Sequence, residues 1–333
     1  MPAVEGKYWT ALDNGFVRCE LCPRHCTMPP GGTGFCLVRK NVDGKLITTI
    51  YSEITSGAYD PVEKKPLYHF YPGSVIFSIG TNGCNLDCKS CQNWEISRRI
   101  TLREVFTPEM AVEYAGRYGS IGIAYTYNDP IVWFEYVLDT AKLMKEAGYV
   151  NVMVTNGNIE LEPLRELLPF IDAFNVDLKG MDRDYYLKFS SMPNPNVWQV
   201  CEEIKKVGKH LELTKLIVPG FDEFTPEYFE RFGKWISENL GKEVPIHYSR
   251  FFPAYKLSNT PPTPVEVLDM AYDVTREYLY YVYVGNVVEP ERESTYCPKC
   301  GALLVRRVGY NVEVLFGEDG RCPQCGRRVD FVF

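Results

Sequence analysis

Glutamine is scarce in this chain of 333 residues, standing only at positions 92, 199 and 324. Lys, Arg and Glu are plentiful instead, a balance found in heat-adapted proteins. Long apolar runs are missing as well: the longest, such as Val150 to Val154, are far too short to cross a bilayer. The opening Met-Pro-Ala-Val-Glu-Gly-Lys-Tyr lacks the apolar stretch of an export signal. No block of like charges occurs, and a net charge of -7 leaves no electrostatic footprint for nucleic acid or an anionic membrane. These absences predict a cytoplasmic protein with neither nucleic acid nor membrane as partner. A hydrophobic fraction of 45% is enough to bury one large core with small appendages.

Cysteine, by contrast, is abundant, with twelve residues. In a reducing compartment clustered cysteines are metal ligands or catalytic groups rather than disulfides. All but Cys201 fall into three groups, at 19 to 36, 84 to 91 and 297 to 325. This layout divides the chain into an N-terminal Cys-rich segment (1–72), a middle domain (73–290) and a C-terminal zinc-ribbon-like module (291–333). Cys201 sits in a helical stretch after Trp198 and reads as a small core residue.

The middle domain alternates apolar strand-like runs, at 75–80, 121–127, 150–155, 173–178, 211–218 and 244–250, with amphipathic helical stretches. Thr107-Pro108, Asp129-Pro130 and Thr225-Pro226 each set a capping residue before a proline suited to a first helical turn. Six βα repeats predict an α/β fold, a partial (β/α)6 TIM-like barrel. The loops at the carboxyl ends of its strands would carry the site.

Directly after the first of these strands comes Cys84-x3-Cys88-x2-Cys91. Three thiolates can hold three irons of a 4Fe-4S cluster and leave the fourth iron open to a small chelating molecule. A zinc site completed by a distant residue is the competing reading. On this loop the chain resembles the radical S-adenosylmethionine (SAM) superfamily. The stretches Lys64-Lys-Pro-Leu-Tyr-His-Phe-Tyr-Pro-Gly73, Cys91-Gln-Asn-Trp94 and Tyr125-Thr-Tyr-Asn-Asp-Pro130 are similar to its AmmeMemoRadiSam branch, in the pyruvate formate-lyase-activase-like group. The resemblance implies that SAM chelates the open iron and that an electron from the reduced cluster cleaves its sulfur-carbon bond. The resulting 5'-deoxyadenosyl radical takes a hydrogen atom from a substrate, small molecule or protein. It also implies a reducing electron donor of ferredoxin or flavodoxin type.

Many members bind the methionyl amino group with Gly-Gly-Glu after the second strand, where this chain has Tyr127-Asn128-Asp129-Pro130. Asn128 and Asp129 are therefore candidates for SAM contact, and Asp129 equally for a helix cap. Asp177 and Lys179 flank Leu178 and so share one face of a strand end. The resemblance assigns Lys179 to the SAM carboxylate with Asp177 nearby; a local ion pair is the plainer alternative. It likewise places Asn156 and His247 beside the cosubstrate, though Asn-Gly is often a turn and a strand-end histidine often structural.

Cys19-x2-Cys22-x3-Cys26-x9-Cys36 encloses the glycine-rich Pro29-Pro-Gly-Gly-Thr-Gly34. Four sulfurs with a loop able to aim amides at them suit an auxiliary 4Fe-4S cluster; structural zinc is the alternative. His25 reads as a surface residue. Cys297-x2-Cys300 and Cys322-x2-Cys325 are paired knuckles of a zinc ribbon, where a rubredoxin-like iron would also fit. The leading expectation is a radical enzyme acting on a small molecule. An activase that installs a glycyl radical on a partner, or a non-enzymatic electron carrier or regulator, are the alternatives.

Overall fold

The computed structural model describes residues 4–287 and 289–333; the first three residues of the leader reading lie outside it. The main sheet has eight strands: β1 (Ser56–Pro61), β2 (Val75–Gly80), β3 (Gly122–Tyr125), β4 (Val150–Thr155), β5 (Ala173–Asp177), β6 (His210–Ile217), β7 (Ile246–Arg250) and β8 (Val282–Gly285). Their spatial order follows the chain from one edge to the other. β1 pairs antiparallel with β2, and every later pair is parallel. β3 is buried at all four positions, as expected of a parallel strand covered on both faces.

Helices α1 (Trp94–Arg98) and α2 (Pro108–Ala115) link β2 to β3. The later crossovers are α3 (Phe134–Glu146), α4 (Leu161–Leu167), α5 (Arg183–Ser190) with α6 (Val197–Lys206), α7 (Pro226–Asn239) and α8 (Val265–Arg276). Each expected start signal is in place. Thr107 accepts from the Met110 N–H, Asp129 from Ile131 and Thr225 from Tyr228. After Asp129, however, a 3-10 turn (Pro130–Trp133) precedes α3. The six expected strands are all present, with six crossovers between them and a seventh parallel strand, β8, which the sequence reading missed along with the antiparallel edge β1. Among the described residues no helix is long and apolar enough to cross a membrane.

Beneath the sheet's inner face the segment after β1 folds back as a floor. Glu212, fully buried on β6, organises it. Its carboxylate accepts from the backbone N–H groups of Tyr68 and His69 at 3.0 and 2.7 Å and lies 2.9 and 2.7 Å from Nε2 of His210 and His247. The C-terminal module, whose sheet is Thr295–Tyr296, Leu303–Val308 and Asn311–Val314, docks on this floor. Buried Arg307 donates to the Tyr68 carbonyl at 2.6 Å and to Thr295 Oγ1 at 2.8 Å, and Phe70 bridges to Val332.

Burial opposes the Glu212 charge, but the hydrogen bonds and charge of His210 and His247 outweigh it and hold the carboxyl well below the usual range. A depressed acid contributes stability that is complete above its unfolded value near pH 4.5 and lost as pH falls below that. Glu212→Gln is therefore expected to lose about 2–4 kcal/mol at neutral pH. Thermal unfolding followed from pH 7 down to 3 should show the gap between variant and parent closing below about pH 4.5.

Candidate active site and metal centres

The loop after β2 is held from several sides. Asn128, just past β3, accepts from the Thr81 N–H and donates to the Gly83 carbonyl, both at 2.9 Å. The Arg98 guanidinium reaches the carbonyls of Cys84 and Leu86. The amides of Asp87 and Lys89 bond the carbonyls of Ser190 and Phe189 at the end of α5. So braced, Cys84, Cys88 and Cys91 line one side of a cavity of about 520 Å³ at the carboxyl ends of the strands.

Burial raises all three thiols, Cys88 to about 12 against the nearby Lys179 charge. Metal ligation deprotonates such groups, so a cation is what these half-buried sulfurs need. A backbone amide already points at one of them, the Leu86 N–H lying 3.4 Å from Cys84 Sγ. Among the described residues no fourth cysteine lines the cavity. The donor set therefore fits a cluster with one iron facing open space.

Asp129, Asn156, Asp177 and Lys179 line the same cavity with Asn128. Asp129 is buried and fully engaged, accepting from the N–H groups of Ile131 and Asn156 and from the Thr155 hydroxyl. Burial pushes its carboxyl up to about 6 despite those donors. It caps a helix and fixes the Asn156 turn at once. Asn156 donates to Asn85 Oδ1 at 2.8 Å and stands 3.9 Å from Cys84 Sγ. Lys179 pairs with Asp177 at 3.0 Å. Burial works against its charge, but Asp177 and Cys88 outweigh that and raise it. One of the three ammonium hydrogens is thus engaged, which leaves others for a carboxylate in the cavity.

His247 does not reach the cavity. It sits on the inner face of β7 one layer down, 2.7 Å from Glu212 and packed against Tyr68 and Tyr283. β7 continues to Arg250, so with period-two alternation the residue level with the cavity is Ser249. The sequence reading gave no role to Lys65 and Tyr127, which do line it. Lys65, 2% exposed, pairs with Asp60 at 2.7 Å, and the Tyr127 hydroxyl donates to the same carboxylate at 2.9 Å. Tyr127 holds a left-handed backbone, φ 69°, a conformation costly for a bulky residue and common at functional sites. The motif containing Lys65 was the available signal.

The two other cysteine sets differ in geometry. Among the described residues, Cys297, Cys300, Cys322 and Cys325 form the one Cys, His or acidic group whose ligand atoms all lie within 4.8 Å of one another. Sγ separations of 3.7 Å (Cys297 to Cys325) and 3.6 Å (Cys300 to Cys322) match a tetrahedral ion with metal–sulfur bonds of about 2.3 Å, whose sulfurs stand about 3.8 Å apart. The sulfurs of Cys19, Cys22, Cys26 and Cys36 surround a small enclosed void but stand further apart than that. The nearby amides of Leu21, Arg24, Val38 and Arg39 work against the rise that burial imposes on the Cys19, Cys22 and Cys36 thiols. Arg39 also lines this void; it is 2% exposed, and its Nε–H has no partner. Cys201 is a core residue, as expected, and His25 lies half-exposed between Glu20 and Glu160.

Comparison with known proteins follows this geometry. The family model described as Radical SAM superfamily matches residues 78–236. MJ0808, an uncharacterized protein of Methanocaldococcus jannaschii, is 44% identical over 335 residues, covering 98% of this chain and 99% of its own. The pyruvate formate-lyase-activating enzyme of Staphylococcus epidermidis is 22% identical over 223 residues, covering 60% of this chain and 88% of that enzyme. The structure of Streptococcus suis SuiB bound to precursor peptide SuiA superposes with a TM-score of 0.50 at 12% identity, over 68% of this chain and 51% of the other, a likeness of fold alone. With three cysteines on the loop after the first parallel strand, these matches mean that the chain belongs to the radical SAM superfamily, in its pyruvate formate-lyase-activase-like group, and is a radical SAM enzyme.

Proposed function

We propose that this enzyme cleaves SAM reductively at a 4Fe-4S cluster held by Cys84, Cys88 and Cys91 and removes a hydrogen atom from a small-molecule substrate. The observation that carries this reading is the placement of three half-buried sulfurs on one braced loop against a cavity of about 520 Å³, large enough for a cosubstrate and a small partner. When bound there, cluster and SAM supply the electron transfer and the 5'-deoxyadenosyl radical. Lys179 would hold the methionyl carboxylate with its free donors, and Asn156 and the backbone around Asn128 would orient the rest. Asp129 would keep that rim in shape. Lys65 and Tyr127 stand on the wall left for the substrate. The three-module division at 72 and 290, with the sheet as an open partial barrel, belongs to the same reading, as does an electron donor of ferredoxin or flavodoxin type.

The N-terminal four cysteines would hold an auxiliary 4Fe-4S cluster. Sulfurs spread too widely for one tetrahedral ion and an unpartnered buried Nε–H on Arg39 support this. The C-terminal four would hold zinc, since a closed sulfur shell suits an ion without redox chemistry in a structural role. Similarity to a pyruvate formate-lyase-activating enzyme favours one second reading, a glycyl radical installed on a protein partner.

Anaerobically reconstituted and reduced protein should form 5'-deoxyadenosine from SAM, and the triple variant Cys84→Ala/Cys88→Ala/Cys91→Ala should form none; product from that variant would sink the reading. Deuterium carried into 5'-deoxyadenosine from deuterated metabolite extracts supports a small-molecule substrate, whereas a radical on an added polypeptide supports the activase. Lys179→Ala should weaken SAM binding about tenfold or more with iron content unchanged, as expected for loss of one charge-assisted contact. Cys300→Ser/Cys325→Ser should lose one zinc per chain by elemental analysis and retain all iron.

A further inference from the structure

Away from the cysteine loop, the cavity wall carries charge that SAM cleavage leaves unused. Lys64 and Lys65 both line the cavity, and both meet the one carboxylate of Asp60, at 2.8 and 2.7 Å. Two ammonium groups against one carboxylate leave one positive charge in excess. Among the described residues no acid on the cavity wall removes it. Asp129 is tied to its three donors beside the central loop, and Asp177 is matched by Lys179. Glu63, next to Lys64 in the chain, is turned away, accepting from the Gly73 N–H at 2.8 Å and facing Arg307. Burial works against the Lys65 charge more than Asp60 supports it, so its ammonium sits below the ordinary lysine range. A further anion would offset that.

Asp60 pairs with Ile76 near the start of β2, whereas the cysteine loop leaves the far end of that strand after Gly80. The two lysines therefore serve the deep end of the cavity, and Lys179, beside Cys88, the cluster end. Tyr127 spans the interval. Asn93, two residues past Cys91, donates to the Tyr127 carbonyl at 2.8 Å, and the Tyr127 hydroxyl donates to Asp60 at 2.9 Å. Gly80 makes room for this residue and its left-handed backbone: a Cβ at Gly80 would fall 2.9 Å from the Tyr127 Cβ. Lys65 Nζ stands 5.0 Å from the centre of the tyrosine ring.

We propose that Lys64 and Lys65 are the specificity-determining residues of the cavity and that the substrate is a small molecule whose carboxylate they hold at its deep end. The proposal rests on the reading that a radical formed at the cysteine loop attacks a small molecule in this cavity. One excess charge matches a monoanion, and a carboxylate brings two acceptor oxygens, one for each lysine. A phosphate monoester, at about -1.5 to -2, exceeds that charge. Anchored there beside Tyr127, the substrate presents its other end to the cluster side, which fixes the hydrogen within reach.

The probe is a deuterated metabolite extract fractionated on an anion exchanger at pH 7, with deuterium in 5'-deoxyadenosine as the readout. Donor activity should lie in the retained fraction, survive alkaline phosphatase and fall about tenfold or more after methyl esterification of carboxylates. With that fraction below saturation, Lys65→Met should lower deuterium transfer about tenfold or more and Lys65→Arg should recover most of it. Iron content, and SAM affinity by equilibrium dialysis, should match the parent in both. Lys64→Met, at a half-exposed position, should lower transfer in the same direction and carries the test if Lys65→Met does not fold. Donor activity that passes through the exchanger, or that phosphatase destroys, overturns the carboxylate site while the hydrogen-abstraction reading stands. A loss of SAM affinity in Lys65→Met equal to that of Lys179→Ala overturns it too, since SAM's own carboxylate would then occupy the site. If no fraction donates deuterium, the small-molecule reading beneath the proposal fails and the proposal with it.

Discussion

One buried carboxylate sets the frame for everything above it. Glu212 has no access to water, and an isolated charge in such a place is prohibitive. It persists because two backbone amides and two imidazoles converge on it. Satisfying it fixes the path of residues 65 to 70 across the inner face, and that path determines the rest. Lys65 is delivered to the cavity, the Pro66 carbonyl receives Asn175 at 2.8 Å, and the Tyr68 carbonyl is presented to Arg307. The floor of the cavity and the docking site of the C-terminal module are two faces of one buried hydrogen-bond network.

Above that floor the cavity wall is built from opposite charges in pairs. Lys179 with Asp177 and Lys65 with Asp60 keep the wall polar without leaving a large net charge. Each lysine retains donors beyond its partner, so a bound anion adds to an existing network rather than rescuing a lone cation. The cysteine loop is different: Lys179 stands near Cys88, yet burial still raises its thiols, and they depend on metal for their charge.

Much of this was legible in the sequence because its causes are local. Metal-ligating cysteines on one turn must be close in sequence, and the three spacings already separate an open site from closed ones. Parallel strands buried on both faces read as apolar runs, and the threonine and aspartate caps announce the helices after them. Depth along a strand is less visible: the strand read at 244–250 does run to Arg250, but the resemblance set His247 beside the cosubstrate although it lies three residues short of that end, one layer beneath the cavity. β1 (Ser-Gly-Ala-Tyr-Asp-Pro) carries glycine and proline and is only partly buried, the features of an edge strand that hide it from pattern reading. β8 is four residues long, too short for periodicity to register. The meeting of Lys65 with Asp60 and Tyr127 arises from tertiary packing and left no trace in spacing.

The floor also imposes an order of events on a growing polypeptide. His69 emerges early in synthesis, yet its Nδ1 finds the Asp330 carbonyl 261 positions later, and the bridge from Phe70 to Val332 spans a similar interval. At translation rates of about 5–20 residues per second, that contact waits on the order of ten to fifty seconds. Through that interval the nascent domain carries an unsealed underside of aromatic rings. Its exposure to chaperones is therefore longest on the ribosome, before the C-terminal module has arrived to close it.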